Sequence, residues 1–215
     1  MRADRQTAGY GRRGRAWASP PGNLAATLAW PLAGPMGADG PAGYGFAAAL
    51  AVRDACVAAG ADGARLTLKW PNDVLLATRG HWAKLSGLLI ETGGGALLIG
   101  IGVNLAEAPD VPAYRTACLA DAVPTCPAPD AFLGLLDAAF PARVHAWRTD
   151  GFGALRTAWL SAAHGVGARV GVRLPGGTAE GVFDGLGAAG ALRLRTPEGV
   201  REITAGDVFF PAGSG

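Results

Sequence analysis

Residues 84–104, KLSGLLIETGGGALLIGIGVN, decide the fold. Two near-continuous aliphatic runs, Leu85–Thr92 and Ala96–Val103, have the length and composition of strands covered on both faces. Upstream, Arg65–Lys69 and Val74–Leu76 read as two more strands, and Leu24–Trp30 as another. Pro/Gly-rich residues 31–43 read as a loop. Phe46, Leu50 and Val57 fall close to helical spacing and Gly60 supplies a stop, so the pattern predicts a helix over Tyr44–Ala59. Downstream, Asp130 is the expected N-cap of a helix carrying Phe132, Leu136 and Phe140. Pro141 is expected to kink or split it, with Val144 and Trp147 on the continuation, and Gly151–Ala163 reads as another helix. The composition then changes. Runs at 166–174, 179–186, 190–196 and 200–204 alternate in polarity between PGG, GAAG and PEG turns, the pattern of a small antiparallel barrel. The expected organisation is an α/β domain followed by a barrel, with the boundary near Gly165.

The chain has 215 residues, half of them hydrophobic and 17% charged, enough for one sizeable core plus a small second domain. A net charge of +2 creates no global field directed at nucleic acid or membrane. No apolar run approaches the ~18 residues of a membrane span. Cys56, Cys118 and Cys126 are odd in number and lack CxxC spacing, which fits a reducing cytosol and a cytoplasmic protein. His81, His145 and His164 show no metal-ligand spacing.

Of 19 basic residues only Lys69 and Lys84 are lysines. Arginine here supplies surface charge, so lysine is expected where a compact ammonium on a flexible stem is needed. The other scarce polar residues, Gln6, Asn23, Asn72 and Asn104, fall in similar Gly-rich or apolar segments. GYGRRGR at 9–15 combines glycines that permit close backbone approach with Arg12, Arg13 and Arg15, donors suited to phosphate. The run reads equally as an unstructured Arg/Gly tail, but Trp17, SPPGN and an apolar strand follow it, as after an ordered loop. KWPND at 69–73 reads as a surface turn with a buried Trp, or as a polar cluster in which Asn72 and Asp73 meet ribose, adenine or a hydrated Mg²⁺. Lys84 is either a lysine snorkelling at a strand edge or a catalytic group beside Gly87. GIGVN at 100–104 reads either as tight layer packing or as a glycine floor ending at Asn104. No Walker loop, Gly-x-Ser-x-Gly or Cys–His arrangement is present, and the glycines lack dinucleotide spacing.

In order, QTAGYGRRGRAWASPPGNLAATL, KWPNDVLL, KLSGLLIE and IGIGVNL resemble the catalytic domain of a biotin protein ligase of the short form without a DNA-binding domain. GVFDGLGAAGALRLRT and AGDVFF resemble, more weakly, that family's carboxyl-terminal domain. The resemblance implies an α/β fold: a class II aminoacyl-tRNA synthetase-like mixed sheet with helices over residues 1–164, and an SH3-like β-barrel over 165–215. It implies attachment of biotin to a lysine of a biotin carrier domain of a carboxylase, using ATP and Mg²⁺ and passing through biotinyl-5′-AMP. DNA and membranes are not implied partners, and the resemblance admits a homodimer through the central sheet.

Carried over by motif, Gln6, Gly9, Tyr10, Gly11, Gly87 and Gly100 would meet biotin. Lys84 would neutralise both the carboxylate and the transferring phosphoryl group. Arg12 would hold the phosphate and shield the adenylate. Arg13, Arg15, Trp17, Lys69, Asn72, Asp73 and Asn104 would serve the nucleotide, with Asn72 and Asp73 also near the metal. Tyr10 departs from the arginine usual in that loop. The family also places a strand, a helix and a Ser-Thr-Asn motif before the Arg/Gly loop; this sequence begins after them, so the expectation is an amino-terminally truncated catalytic domain with Met1 internal to a longer protein. Three other readings stay open on sequence: a non-catalytic binder of biotinyl-adenylate or of the carrier domain, a lipoate ligase, and an RNA-binding module built on the Arg/Gly arm.

Overall fold

Strand β6 (Ala96–Val103) runs beside β5 (His81–Gly93) in the middle of a six-stranded sheet, ordered β1-β2-β6-β5-β4-β3. The others are β1 (Arg2–Ala3), β2 (Leu24–Pro31), β3 (Leu66–Lys69) and β4 (Asp73–Thr78). The computed structural model describes residues 1–31 and 40–211. Every ladder of this sheet is antiparallel, and parallel pairing enters through two isolated bridges, Leu68 with Ala163 and Lys84 with Thr116.

The composition of the central strands predicts burial on both faces, but the structure buries β6 on one face only. Leu97, Ile99, Ile101 and Val103 of β6 are buried, while the residues between them are only half-buried. One face thus carries the core, and Gly100 and Gly102 lie on the other. Glycine's lack of polarity makes such a strand read as continuously apolar.

Helix α1 (Gly40–Ala58) lies against the core face, where Gly45 approaches Ile90 of β5. Its Ala- and Gly-rich surface is buried almost all round, because α2 (Pro129–Ser161) packs on it. Gly43 makes room for Trp147, whose ring meets Tyr44 edge-on at 4.9 Å. The predicted helix therefore starts earlier than Tyr44, and 40–43 is not loop. The remainder of the expected loop, 32–39, lies outside the described residues.

Two expectations for α2 are corrected. The N-cap is Ala128, with Pro129 opening the first turn where its missing N–H costs nothing. Asp130 instead pairs with Arg2 at 2.7 Å. The helix continues through Pro141 and breaks at Gly151 (φ 81°, ψ 169°), a conformation open to glycine. Helical residues on either side of that break match the two predicted segments.

The carboxyl-terminal sheet is antiparallel, ordered β10-β9-β8-β7-β11. It comprises β7 (Arg169–Leu174), β8 (Gly177–Leu186), β9 (Leu192–Thr196), β10 (Gly199–Ile203) and β11 (Asp207–Phe209). Four strands follow the predicted runs; β11 adds a fifth, pairing with β7 at the edge of this sheet.

Candidate active site

The non-helical face of the first sheet carries a cavity of about 210 Å³ beneath the arginine-bearing segment. That segment is a hairpin: Trp17 N–H donates to Gly9 O at 2.9 Å, Gly11 N–H donates to Arg15 O at 2.7 Å, and Tyr10 bridges Ala16. Its tip takes positive φ at both Arg13 (59°) and Gly14 (68°), the turn geometry that matches strand twist. An arginine tolerates this only at a cost of about 1–3 kcal/mol, so its neighbours must hold it there. The Arg/Gly run is an ordered loop.

Lys84 reaches the cavity through a fault in the ladder. Val74 pairs with Ser86 but Leu75 pairs with Lys84, leaving Leu85 as an extra residue on β5. This bulge moves Lys84 onto the face that carries Gly87, the direct partner of Asp73. Lys84 Nζ lies 2.6 Å from Asp73 Oδ1, with both side chains mostly buried. The rings of Trp17 and Tyr114 flank the ammonium at 5.6 and 5.3 Å. The Lys84 backbone pairs with the returning segment, its N–H donating to Arg115 O and its carbonyl accepting from Ala117 N–H, both at 2.9 Å.

Three glycines make the floor, with different roles. A Cβ on Gly102 would lie 2.4 Å from the Trp17 indole, and one on Gly87 would crowd both Trp17 and Lys84 at 3.1–3.2 Å. Both positions are bare so that Trp17 can lie flat on the sheet. At Gly100 a Cβ would meet only Leu89, at 3.5 Å or more, so the open floor of the cavity is there.

Arg12 closes the other end. Its Nη1 donates to Asn72 Oδ1 at 3.4 Å and to Gly206 O at 3.2 Å, and lies 3.7 Å from Asp207. Burial lowers the Arg12 pKa, and Asp207 opposes that shift. Asn72 Nδ2 donates to Leu88 O, which commits its amide to the sheet. Tyr10 donates to the Glu91 carboxylate at 3.2 Å.

Eleven of the fifteen residues singled out in the sequence line the cavity: Gln6, Tyr10, Gly11, Arg12, Arg15, Trp17, Asn72, Asp73, Lys84, Gly87 and Gly100. Gly9 and Arg13 belong to the hairpin above it. Lys69 stands to one side, at the end of β3; burial lowers its pKa against the pull of Asp73, and it has no hydrogen bond or ion pair among the described residues. Asn104 lies underneath. It is buried, and its Nδ2 donates to Ala117 O at 3.1 Å and Lys84 O at 3.4 Å, filling the fork where β5 leaves β6 for the return segment. Asn104→Ala is expected to destabilise the fold by about 1–3 kcal/mol, read from the midpoint of urea unfolding; an unchanged midpoint would return Asn104 to a ligand-binding role. Tyr114, Glu91, Gly102 and Asp207 were not singled out. Glu91, Gly102 and Asp207 sit inside quoted motifs (KLSGLLIE, IGIGVNL and AGDVFF), but Tyr114 belongs to a segment whose local composition carries no such signal.

Residues 2–106 match the model of the biotin/lipoate A/B protein ligase family, and residues 165–210 match that of the biotin protein ligase C terminal domain. The chain is 40% identical to a biotin--[acetyl-CoA-carboxylase] ligase of Paracoccus denitrificans, over 97% of this chain and 88% of the relative. It belongs to the biotin protein ligase family. A Mycobacterium tuberculosis biotin--[acetyl-CoA-carboxylase] ligase is 32% identical over 96% of this chain and 76% of its own length. The solved biotin protein ligase of Aquifex aeolicus, in complex with biotin and ATP, superposes with a TM-score of 0.79 at 25% identity, over 97% of this chain and 86% of that one. The expected fold class, a synthetase-like sheet with helices plus an SH3-like carboxyl-terminal sheet, agrees with these family members. Among the described residues no helix is long and apolar enough to cross a membrane.

Proposed function

We propose that this chain condenses biotin with ATP to biotinyl-5′-AMP and pyrophosphate, then transfers the biotinyl group to a lysine of a carboxylase's biotin carrier domain. One observation carries the reading: Lys84, Asp73, Asn72 and Arg12 converge on one bare-floored cavity in a chain 40% identical to a biotin ligase. In the first step a carboxylate oxygen of biotin attacks the α-phosphorus as pyrophosphate leaves. In the second, the carrier lysine's amine attacks the acyl carbon, AMP departs and the amine sheds a proton.

Such chemistry is largely positioning and charge neutralisation. The Gly100 end takes the apolar ring of biotin, and Gln6 and the backbone at Gly9–Gly11 meet its polar edge. Lys84 then faces the carboxylate and the α-phosphate together. Arg12, with Arg13 and Arg15, takes phosphate oxygens; Trp17 walls the nucleotide side. Lys69, a half-buried ammonium with no ion pair among the described residues, is a seat for the departing pyrophosphate. Asn104 supports this arrangement from below.

The donor set suits Mg²⁺ only as a substrate-borne ion. No group of three or more His, Cys, Asp or Glu among the described residues could hold a metal, and Asn72 turns its oxygen to Arg12. Asp73 is the carboxylate we place on a cation that phosphates otherwise coordinate, as is usual for Mg²⁺; of the other carboxylates lining the cavity, Glu91 accepts from Tyr10 and Asp207 is committed to the arginines. When bound, the ion would neutralise phosphate charge. We place the division between the catalytic part and the carboxyl-terminal barrel near Gly165, and, with three unpaired cysteines, the reaction in the cytoplasm.

Labelled biotin, ATP and a biotin carrier domain test the proposal directly. Carrier labelling that depends on ATP supports it; a thermal shift with biotin and ATP without transfer would make the chain a binder only. Arg12→Gly is expected to loosen the adenylate, seen as indiscriminate labelling of bystander lysines. Labelling confined to the carrier in that variant would remove Arg12 from adenylate retention.

A further inference from the structure

Three arginines of the hairpin turn to a single carboxylate from the other sheet. Arg13 Nη1 lies 2.9 Å from Asp207 Oδ2, Arg15 Nη2 contacts the same oxygen, and Arg12 Nη1 lies 3.7 Å from Oδ1. Asp207 opens β11, nearly two hundred residues from the hairpin, and its side chain is 16% exposed. Arg12 also donates to the carbonyl of Gly206, the preceding residue. Three guanidiniums brought this close repel one another, and one carboxylate leaves the cluster with net positive charge. An isolated exposed pair such as Arg15 with Asp207 contributes little because water screens it. A shared, mostly buried carboxylate is different: it offsets the repulsion and fixes where three cations point. Arg13 holds a left-handed backbone at the tip, the strain a fixed contact can sustain.

We propose that Asp207 is a positioning residue for the nucleotide: it gathers Arg12, Arg13 and Arg15 into an array that receives triphosphate oxygens, making the carboxyl-terminal sheet part of the adenylation site. The proposal rests on the ligase reading above. Asp207 itself touches no reacting atom. A phosphate entering the cluster finds the cations already assembled, and the residual positive charge attracts it.

The test is Asp207→Asn in the full chain, with Asp207→Glu beside it. Pyrophosphate exchange gives KM for ATP and kcat; calorimetry gives the Kd of inorganic pyrophosphate and, separately, of biotin. Asp207→Asn is expected to raise KM for ATP and the pyrophosphate Kd about tenfold, the equivalent of one modest charge interaction. The biotin Kd and melting temperature stay close to wild type, and Asp207→Glu recovers most of the loss. In an Arg13→Gln, Arg15→Gln background the same change has a smaller effect, because its partners are gone. An unchanged pyrophosphate Kd overturns the proposal. So does tighter pyrophosphate binding, which would make the carboxylate a competitor of phosphate. Equal weakening of biotin and pyrophosphate with a lowered melting temperature would reduce Asp207 to a strut between the sheets. Wild-type protein without biotin-dependent exchange would sink the ligase reading instead, and the pyrophosphate calorimetry would still decide the role of Asp207.

Discussion

Lys84→Ala lowers the rate of biotinyl-adenylate formation by about 10²–10³-fold, the usual loss when one preorganised transition-state charge is removed. Lys84 is the one lysine lining the cavity, and its ammonium is held by Asp73 at 2.6 Å between two aromatic rings. As the carboxylate attacks, negative charge moves onto phosphoryl oxygens, and a cation already desolvated needs no rearrangement to meet it. The effect belongs in kcat more than in the KM for ATP, because the arginines and Lys69, which we propose hold the phosphates, remain. Lys84→Arg is expected to recover little. A planar guanidinium is wider than an ammonium and presents its donors in a fixed fork, which the gap between Trp17 and Tyr114 does not match. Single-turnover adenylation, followed by conversion of labelled biotin, measures it. A Lys84→Ala rate within threefold of wild type would remove Lys84 from the chemistry and leave the Lys84–Asp73 pair as a structural contact.

The scarce-residue pattern made part of this site legible. Gln6, Asn72 and Lys84 line the cavity and Lys69 stands beside it. Two of the six serve architecture instead. Asn23 Oδ1 accepts from the N–H groups of Leu105, Ala106 and Glu107 at 3.0–3.1 Å, fixing the turn after β6, and Asn104 fills the fork below Lys84. Scarcity marks any position where no other side chain fits, whether it faces a ligand or a buried backbone. The bulge at Leu85 was not legible: strand alternation puts Lys84 and Gly87 on opposite faces, and a register shift is set by pairing between strands. Asp207 escaped for a similar reason, since a lone acid in a short strand acquires meaning only when β11 pairs with β7. Tyr114 is placed by a return segment that pairs with Lys84 itself. Local hydrophobic pattern found the strands and helices; contacts between distant segments supplied the rest.

Gly102→Val is expected to reduce adenylation by about 10²-fold or more, through displacement alone, since small misplacements of positioning groups cost that much. Position 102 pairs with Gly87 on one side and Ala25 on the other, so its Cβ would rise from the middle of the floor. There it would meet Trp17 Cε2 at 2.4 Å, Cζ2 at 2.5 Å and Nε1 at 2.7 Å. An indole cannot fold away like the end of a lysine, and the Trp17 backbone is tied to Gly9 O. The ring must lift, taking with it the wall of the Lys84 cage and the base of the arginine hairpin. The overpacking itself costs about 1–3 kcal/mol, but the sheet and its helical core stay in place because the added atoms lie on the opposite face. Loss of activity should therefore far exceed loss of stability, as compared by turnover and urea midpoint on one preparation. Gly100→Val separates this from simple filling of the cavity. Its Cβ would meet Leu89 at ordinary distances and leave Trp17 alone, so it should weaken biotin binding while ATP binding persists. If Gly102→Val turned over within threefold of wild type, Trp17 would not be the fixed wall on which the geometry of Lys84 depends.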